Sequence, residues 1–236
     1  MTTPGFLARL GRRELSLLLL LCLAAGSAWI FIEIADEVVE GELHEIDRAI
    51  LLALRTPGNP ADPLGPGWLQ EMGRDITALG GTLVTTLATL AAAGFLALQG
   101  KRRAAVFVTV AIFSGTILGW LLKFGFDRPR PDLVPHGSIV SSSSFPSGHS
   151  MTAAIVYLTL AAVLIRVQTR RPLQLYLLSL ALLITIAVGV SRVYLGVHWP
   201  SDVLAGWTAG AAWAVLWWII ALWMQRKGEV EMGPET

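Results

Sequence analysis

The chain is predicted to be all-α: a polytopic membrane bundle of six transmembrane helices with a short extracytoplasmic helical cap. Three observations carry that prediction. The composition is far from that of an average soluble domain, with 54% hydrophobic and only 15% charged side chains in 236 residues and a mean hydropathy of +0.61. Six apolar runs free of Asp, Glu, Lys and Arg are long enough, or nearly so, to cross a bilayer core as helices: Leu15–Ile32, Ile76–Leu98, Ala104–Leu122, Ser147–Ile165, Leu173–Val190 and Val203–Met224. The charges between them are segregated. Alternate polar stretches hold Arg9, Arg12, Arg13, Lys101, Arg102, Arg103, Arg166, Arg170, Arg171, Arg226 and Lys227, which are 11 of the 18 cations, whereas 13 of the 17 acids fall in the other set. This bias predicts both termini in the cytoplasm and the intervening motifs on the extracytoplasmic side. The net charge of +1 gives no reason to expect a nucleic-acid partner.

Each element follows from local pattern. Arg9, Arg12 and Arg13 before an apolar run with a small-residue patch, Ala24 to Ala28, resemble a secretory signal. The apolar residues continue through Trp29, Ile30, Phe31 and Ile32, however, which suits a span better than a short signal core. Cys22 is the only cysteine, so neither an internal disulfide nor a thiolate metal site is expected. Residues 33–75 are read as the cap. It opens on the acidic stretch Glu33 to Asp47 and continues into an interfacial helix whose Ile46, Ile50, Leu51 and Leu54 share a face away from Asp47, Arg48 and Arg55. A Pro/Gly-rich break from Thr56 to Gly67 and a second short helix around Trp68, Leu69 and Met72 complete it. Residues 123–148 form the active-site loop and 225–236 a cytoplasmic tail of this single domain. Gly115 with Gly119, and Gly206 with Gly210, have the small-xxx-small spacing that lets helices approach closely, within the bundle or across a homodimer seam. Trp199, Trp207, Trp213, Trp217, Trp218 and Trp223 read as interface anchors and lipid-facing bulk.

Three polar constellations stand out: Lys123 with Arg130-Pro131, then Pro146-Ser147-Gly148-His149, then Ser191-Arg192 with His198 and Asp202. In the predicted topology they occupy four helix ends on one face of the membrane. Two helix starts offer unpaired N–H groups and positive dipole ends, with Ser147 placed to cap and Gly148 to let an anion approach. Lys123, Arg130 and Arg192 add fixed cations, a set suited to the several oxygens of a phosphate. His198 and Asp202 lie one helical turn apart, so the carboxylate can hold one ring nitrogen and leave the other as a nucleophile toward phosphorus. His149 is then the candidate general acid and base. No metal or cofactor is expected, because three cations beside His149, His198 and Asp202 would oppose a divalent ion. Ser147 lacks the glycine-flanked elbow of a serine nucleophile. His44 and His136 read as structural or solvent-facing, Asp127 and Asp132 as loop residues holding arginines, and Ser141 to Ser144 as a flexible lead-in.

At these residues the chain resembles the type 2 phosphatidic acid phosphatase superfamily, the lipid phosphate phosphatases. This group shares its signature with vanadium haloperoxidases and bacterial acid phosphatases. The pattern Lys-x6-Arg-Pro matches Lys123 to Pro131, Pro-Ser-Gly-His matches Pro146 to His149, and Ser-Arg-x5-His-x3-Asp matches Ser191 to Asp202. The resemblance implies a bacterial membrane-integral member of six spans in the cytoplasmic (inner) membrane. It implies His198 as nucleophile, Asp202 as its orienter, His149 as acid/base, and Lys123, Arg130, Ser147, Gly148 and Arg192 as phosphate ligands. The expected activity is metal-independent hydrolysis of a lipid phosphomonoester or pyrophosphate through a phosphohistidine. Undecaprenyl pyrophosphate, phosphatidic acid and phosphatidylglycerol phosphate are the substrate types implied. Phosphotransfer to an acceptor other than water, or a transporter reusing the anion pocket, are the alternatives; few polar residues inside the spans speak for the transporter.

Overall fold

The computed structural model describes residues 11–134 and 142–226. In chain order its elements are α1 (Arg12–Glu40), α2 (His44–Ala53), β1 (Arg55–Thr56), β2 (Asn59–Pro63), α3 (Gly67–Ala78), α4 (Thr82–Leu98), α5 (Arg102–Gly125), α6 (Gly148–Val167), α7 (Arg171–Tyr194) and α8 (Pro200–Arg226). By length and composition α1, α5, α6, α7 and α8 can each cross a membrane, and the bent pair α3 and α4 counts as a sixth candidate when the two are taken as one broken span. The chain is an integral membrane protein built as a helical bundle.

The first departure from expectation is at α1, which runs on to Glu40 instead of ending near Ile32. Nothing in Glu33 to Glu40 breaks a helix, and the chain stops only where Gly41 adopts a left-handed conformation with φ 83°. The first part of the acidic stretch, Glu33 to Glu40, is thus the last two turns of α1. Helix α2 forms where predicted, with one difference, at Asp47. Ile46 and Ile50 are exposed while Asp47 and Arg55 are buried together with Leu51. Asp47 is buried because it has polar partners elsewhere in the chain, Arg128 and Ser201. The Pro/Gly break closes into a small antiparallel hairpin, pairing Thr56 with Asn59 and Arg55 with Pro63, so among the described residues all regular structure but this ribbon is helical.

The second run is broken. Helices α3 and α4 meet at 47°, and the break falls on Gly80 and Gly81. A Cβ on Gly80 would lie 2.5 Å from Val188 Cγ1 and 2.8 Å from the His149 carbonyl oxygen. The backbone therefore passes against α6 and α7 at a distance only glycine permits. Tyr157 donates to the Leu79 carbonyl at 2.8 Å, satisfying a group that the bend releases.

Both glycine pairs are used inside the bundle. Cβ atoms on Gly206 and Gly210 of α8 would fall 2.7 Å from the Ser147 carbonyl and 2.6 Å from Ala154 Cβ of α6, and one on Gly115 of α5 would fall 2.6 Å from Trp213 Nε1. Val108, Ile112, Met151, Ile155, Val156 and Ala209 fill the space between α5, α6 and α8. At the same end the Ser147 N–H donates to the Asp202 carbonyl at 2.9 Å, stapling the start of α6 to the first turn of α8. Several tryptophans expected to face lipid are internal. Trp199 is buried, Trp207 donates to the Thr185 carbonyl and Trp213 to the Ala111 carbonyl. Trp223 is exposed.

Candidate active site

The starts of α6 and α8 and the ends of α5 and α7 gather at one end of the bundle, and the three motifs come with them. Lys123, in the last turn of α5, donates from Nζ to the Ser143 carbonyl at 2.9 Å. A Cβ on Gly148 would touch Lys123 Cε at 3.3 Å, which shows how tightly this helix end sits against the first residue of α6. Ser147 caps α6, its Oγ accepting from the Ser150 N–H at 3.5 Å and the Ser150 hydroxyl at 2.9 Å. Arg130 is spread over the site: Nε donates to the Ser142 carbonyl at 2.8 Å and Nη1 to the Val197 carbonyl at 2.6 Å. Burial pushes the Arg130 guanidinium below its ordinary pKa, against the pull of Asp202. Arg192, buried in α7, donates from Nη1 to Thr77 Oγ1 at 3.0 Å, and its Nε is buried with no partner.

His198 lies in the short link before α8 and is 1% exposed. Its Nδ1 is 3.3 Å from Asp202 Oδ2 and its Nε2 is 3.1 Å from Arg130 Nη1. A guanidinium can only donate, so Nε2 carries the lone pair and Nδ1 the proton, which points at the carboxylate. Burial lowers the His198 pKa to about 4; the hydrogen bond and charge of Asp202 oppose this, and Arg192 and Arg130 add to it. The ring is therefore neutral near pH 7. His149, in the first turn of α6, lies within electrostatic reach of Arg192, His198, Arg130 and Lys123. A Cβ on Gly81 would sit 3.7 Å from its Nε2. The bend between α3 and α4 thus borders this imidazole.

Asp202 is fully buried and fully engaged. Oδ2 accepts from the Trp199 N–H at 2.9 Å and from the Ser144 hydroxyl, and Oδ1 accepts from Arg128 Nη1 at 2.6 Å. Arg128 in turn bonds Asp47 Oδ2 at 2.7 Å and the Ser201 hydroxyl at 2.7 Å. These partners escaped the sequence reading. Ser144, in the expected flexible lead-in, is buried, and Ser142 and Ser143 offer the carbonyls that hold Arg130 and Lys123. Arg128 had a visible signal, the doubled Arg-Pro-Arg-Pro of residues 128–131; Asp47 had none. Among the described residues the acids flanking Arg128 do not hold it: its ion pairs are with Asp47 and Asp202, not with Asp127 or Asp132. His44 packs edge-on against Trp199, with centroids 5.4 Å apart, whereas His136 and Ser141 lie outside the described residues. Among the described residues no three of His, Cys, Asp and Glu gather as a metal-ligand set. Beside Lys123 opens a cavity of about 750 Å³ lined by Trp120, Phe124, Phe126, Asp127, Ser142 and Ser143.

The family model of the PAP2 superfamily matches residues 103–226, the stretch that carries all three motifs. The chain belongs to the PAP2 superfamily. Among proteins similar to this PAP2 chain is phosphatidylglycerophosphatase B of Bacillus subtilis (strain 168), 36% identical over 149 residues, covering 61% of this chain and 70% of that one. An undecaprenyl-diphosphatase of Sulfolobus acidocaldarius is 34% identical over 95 residues, 40% of each chain. The crystal structure of a transmembrane PAP2-type phosphatidylglycerolphosphate phosphatase from Bacillus subtilis superposes with a TM-score of 0.73. It covers 86% of this chain and 97% of that one at 28% identity.

Proposed function

We propose that this PAP2 protein is a membrane lipid phosphatase that cleaves the phosphate ester or pyrophosphate of a lipid headgroup through a covalent phosphohistidine on His198. The observation that carries the reading is the state of that ring. Its Nδ1 proton is directed to Asp202, its Nε2 lone pair faces the Arg130 guanidinium, and Arg192 and His149 lie within electrostatic reach. A phosphate placed there would draw Arg130 away from Nε2, while Arg192 has an unpartnered Nε to donate and Lys123 adds a third charge. The first-turn N–H groups of α6 at Gly148 and His149 would complete the cradle.

In the first step the Nε2–P bond forms as the P–O bond to the lipid breaks, and His149 protonates the departing oxygen. In the second, His149 takes a proton from water, whose oxygen attacks phosphorus. The P–Nε2 bond then breaks, and inorganic phosphate leaves. Asp202 stabilises the cation that His198 becomes in between. The cation bias supports a site on the extracytoplasmic side of the cytoplasmic membrane. Phosphatidylglycerol phosphate and polyprenyl pyrophosphate are the substrates that the similar proteins point to, with phosphatidic acid as the simplest monoester.

The test is release of inorganic phosphate by purified protein, in chelator, from short-chain polyprenyl pyrophosphate, phosphatidylglycerol phosphate and phosphatidic acid. Turnover of at least one, lost in His198→Ala, is the expected result. Activity that vanishes with chelator, or survives the substitution, would sink the mechanism. A substrate preferred a hundredfold would differ by about 2.7 kcal/mol at the transition state, enough to name it.

A further inference from the structure

We infer that Arg128 and Asp47 are positioning residues for this reaction, a buried charge relay that sets the Asp202 carboxylate and, through it, the ring of His198. The inference rests on the lipid phosphatase reading and adds two residues that lie outside its phosphate cradle.

The geometry is a chain of alternating charges from α2 to the catalytic histidine. Asp47, 2% exposed, accepts from Arg128 Nη2 at 2.7 Å; Arg128 Nη1 donates at 2.6 Å to Asp202 Oδ1; and Asp202 Oδ2 faces His198 Nδ1 at 3.3 Å. Ser201 ties Asp47 to the guanidinium. Its N–H donates to Asp47 Oδ1 at 2.8 Å, its hydroxyl bonds Asp47 Oδ2, and the same hydroxyl accepts from Arg128 at 2.7 Å. The guanidinium also lies over the Trp199 ring, 5.8 Å from its centroid. Both Nη atoms of Arg128 are thus spent on carboxylates. The residue has the wrong commitments for a phosphate ligand, in contrast to Arg130, two positions on, which rests on carbonyls, a hydroxyl and the ring nitrogen.

Two consequences follow. The carboxylate that receives the His198 proton has one oxygen pinned by Arg128, so its rotation, and with it the direction of Nε2, is set by a residue that never meets substrate. Asp47 competes with Asp202 for one guanidinium, so the two ends of the relay act oppositely on the charge His198 feels. The charged and titratable groups within electrostatic reach of that ring are Asp202 of α8, Arg130 of the 126–134 segment, Arg192 of α7 and His149 of α6; Arg128 and Lys123 bear on Asp202, and Asp47 of α2 stands behind Arg128. Removing the Arg128 charge strengthens the hold of Asp202 on a protonated ring; removing the Asp47 charge weakens it.

Arg128→Gln, Arg128→Lys and Asp47→Asn are compared with wild type in purified protein by kcat, KM and the pH profile of kcat/KM on short-chain phosphatidic acid. Arg128→Gln is expected to lower kcat about 10- to 100-fold, with KM within about threefold, the scale on which loosening the group behind a functional histidine acts. Its acid limb should move to higher pH, Arg128→Lys should recover part of the rate, and the acid limb of Asp47→Asn should not rise. Should Arg128→Gln fail to fold, the lysine and asparagine variants carry the same two readouts. A kcat within threefold of wild type, an unmoved acid limb, or a loss carried by KM would overturn the inference, the last by making Arg128 a phosphate ligand. Wild-type protein that releases no phosphate would bring down the lipid phosphatase reading and this one with it. Active wild type with an indifferent Arg128→Gln would remove this one alone.

Discussion

Two clusters of cations share one end of the bundle and are treated in opposite ways. Arg128 is neutralised on both sides by Asp47 and Asp202. Arg130, Arg192 and Lys123 lean on carbonyls, hydroxyls and a neutral imidazole, with no carboxylate among their hydrogen-bond partners in the described residues. Buried positive charge is costly unless compensated. A compensated guanidinium is a structural strut, and an under-compensated group of three is a site waiting for an anion. The difference lies in who sits opposite each side chain, since Arg128 and Arg130 are each followed by proline in the same short segment.

The sharpest way to break this division is at its centre. His198→Ala removes the atom to which both clusters refer, and phosphate release should fall by on the order of 10⁴-fold or more, as for the loss of a nucleophile elsewhere. Next comes the under-compensated cluster. Arg192→Gln or Arg130→Gln should each cost about 10²- to 10³-fold in kcat/KM, the loss expected for one donor to a developing oxyanion. Stability, read as the melting temperature in detergent, should hold or rise, because a desolvated cation has been removed. An Arg192 variant that loses stability and keeps activity would erase the distinction between the clusters.

Smaller effects test the frame that holds the clusters together. Gly206→Ala places a methyl 2.7 Å from the Ser147 carbonyl and 3.1 Å from the Met151 nitrogen, both backbone. Overpacking of about 1–3 kcal/mol is expected, visible as a lowered melting temperature with an accompanying fall in kcat, since the same contact sets the start of α6.

The smallest effect is the pH response. His198 has a folded pKa of about 4 against an ordinary 6.5, so between those values the unfolded chain binds the proton and the native protein does not. Stability should therefore rise with pH across about 4 to 6.5 and be indifferent to this group above it. Melting temperatures at pH 5 and 7, compared between wild type and His198→Ala, isolate that contribution, which should be absent in the variant. In activity the same shift keeps Nε2 unprotonated at pH 5.5, so an acid limb assigned to His198 should lie below that of free histidine.

The legibility of this chain follows the range of the interactions. Apolar length and charge spacing depend on neighbours in sequence, so α5 to α8 and the grouping of Lys123, Arg130, Ser147, Gly148, His149, Arg192, His198 and Asp202 at one end of the bundle could be read before any coordinates. The His198 and Asp202 pair is a helical-turn contact and the Ser147 cap is a three-residue contact; both are local. The failures are non-local or conformational. Helix α1 outran its apolar run because charge does not stop a helix, and only Gly41 did. The 47° bend at Gly80 and Gly81 answers to Val188 and His149, which are far away in sequence. Asp47 looked like the solvent side of an interfacial helix because its partner Arg128 is 81 positions on.

The sequence alone determined that this protein lives in a membrane, which helix ends carry charge, and which residue types meet there, because bilayer thickness and helix geometry act on every short stretch separately. Tertiary structure alone decided which arginine is neutralised and which is not, and that a carboxylate on α2 stands behind the His198 and Asp202 pair. Burial is conferred by the whole fold, and a buried charge takes its meaning from whatever the fold places against it.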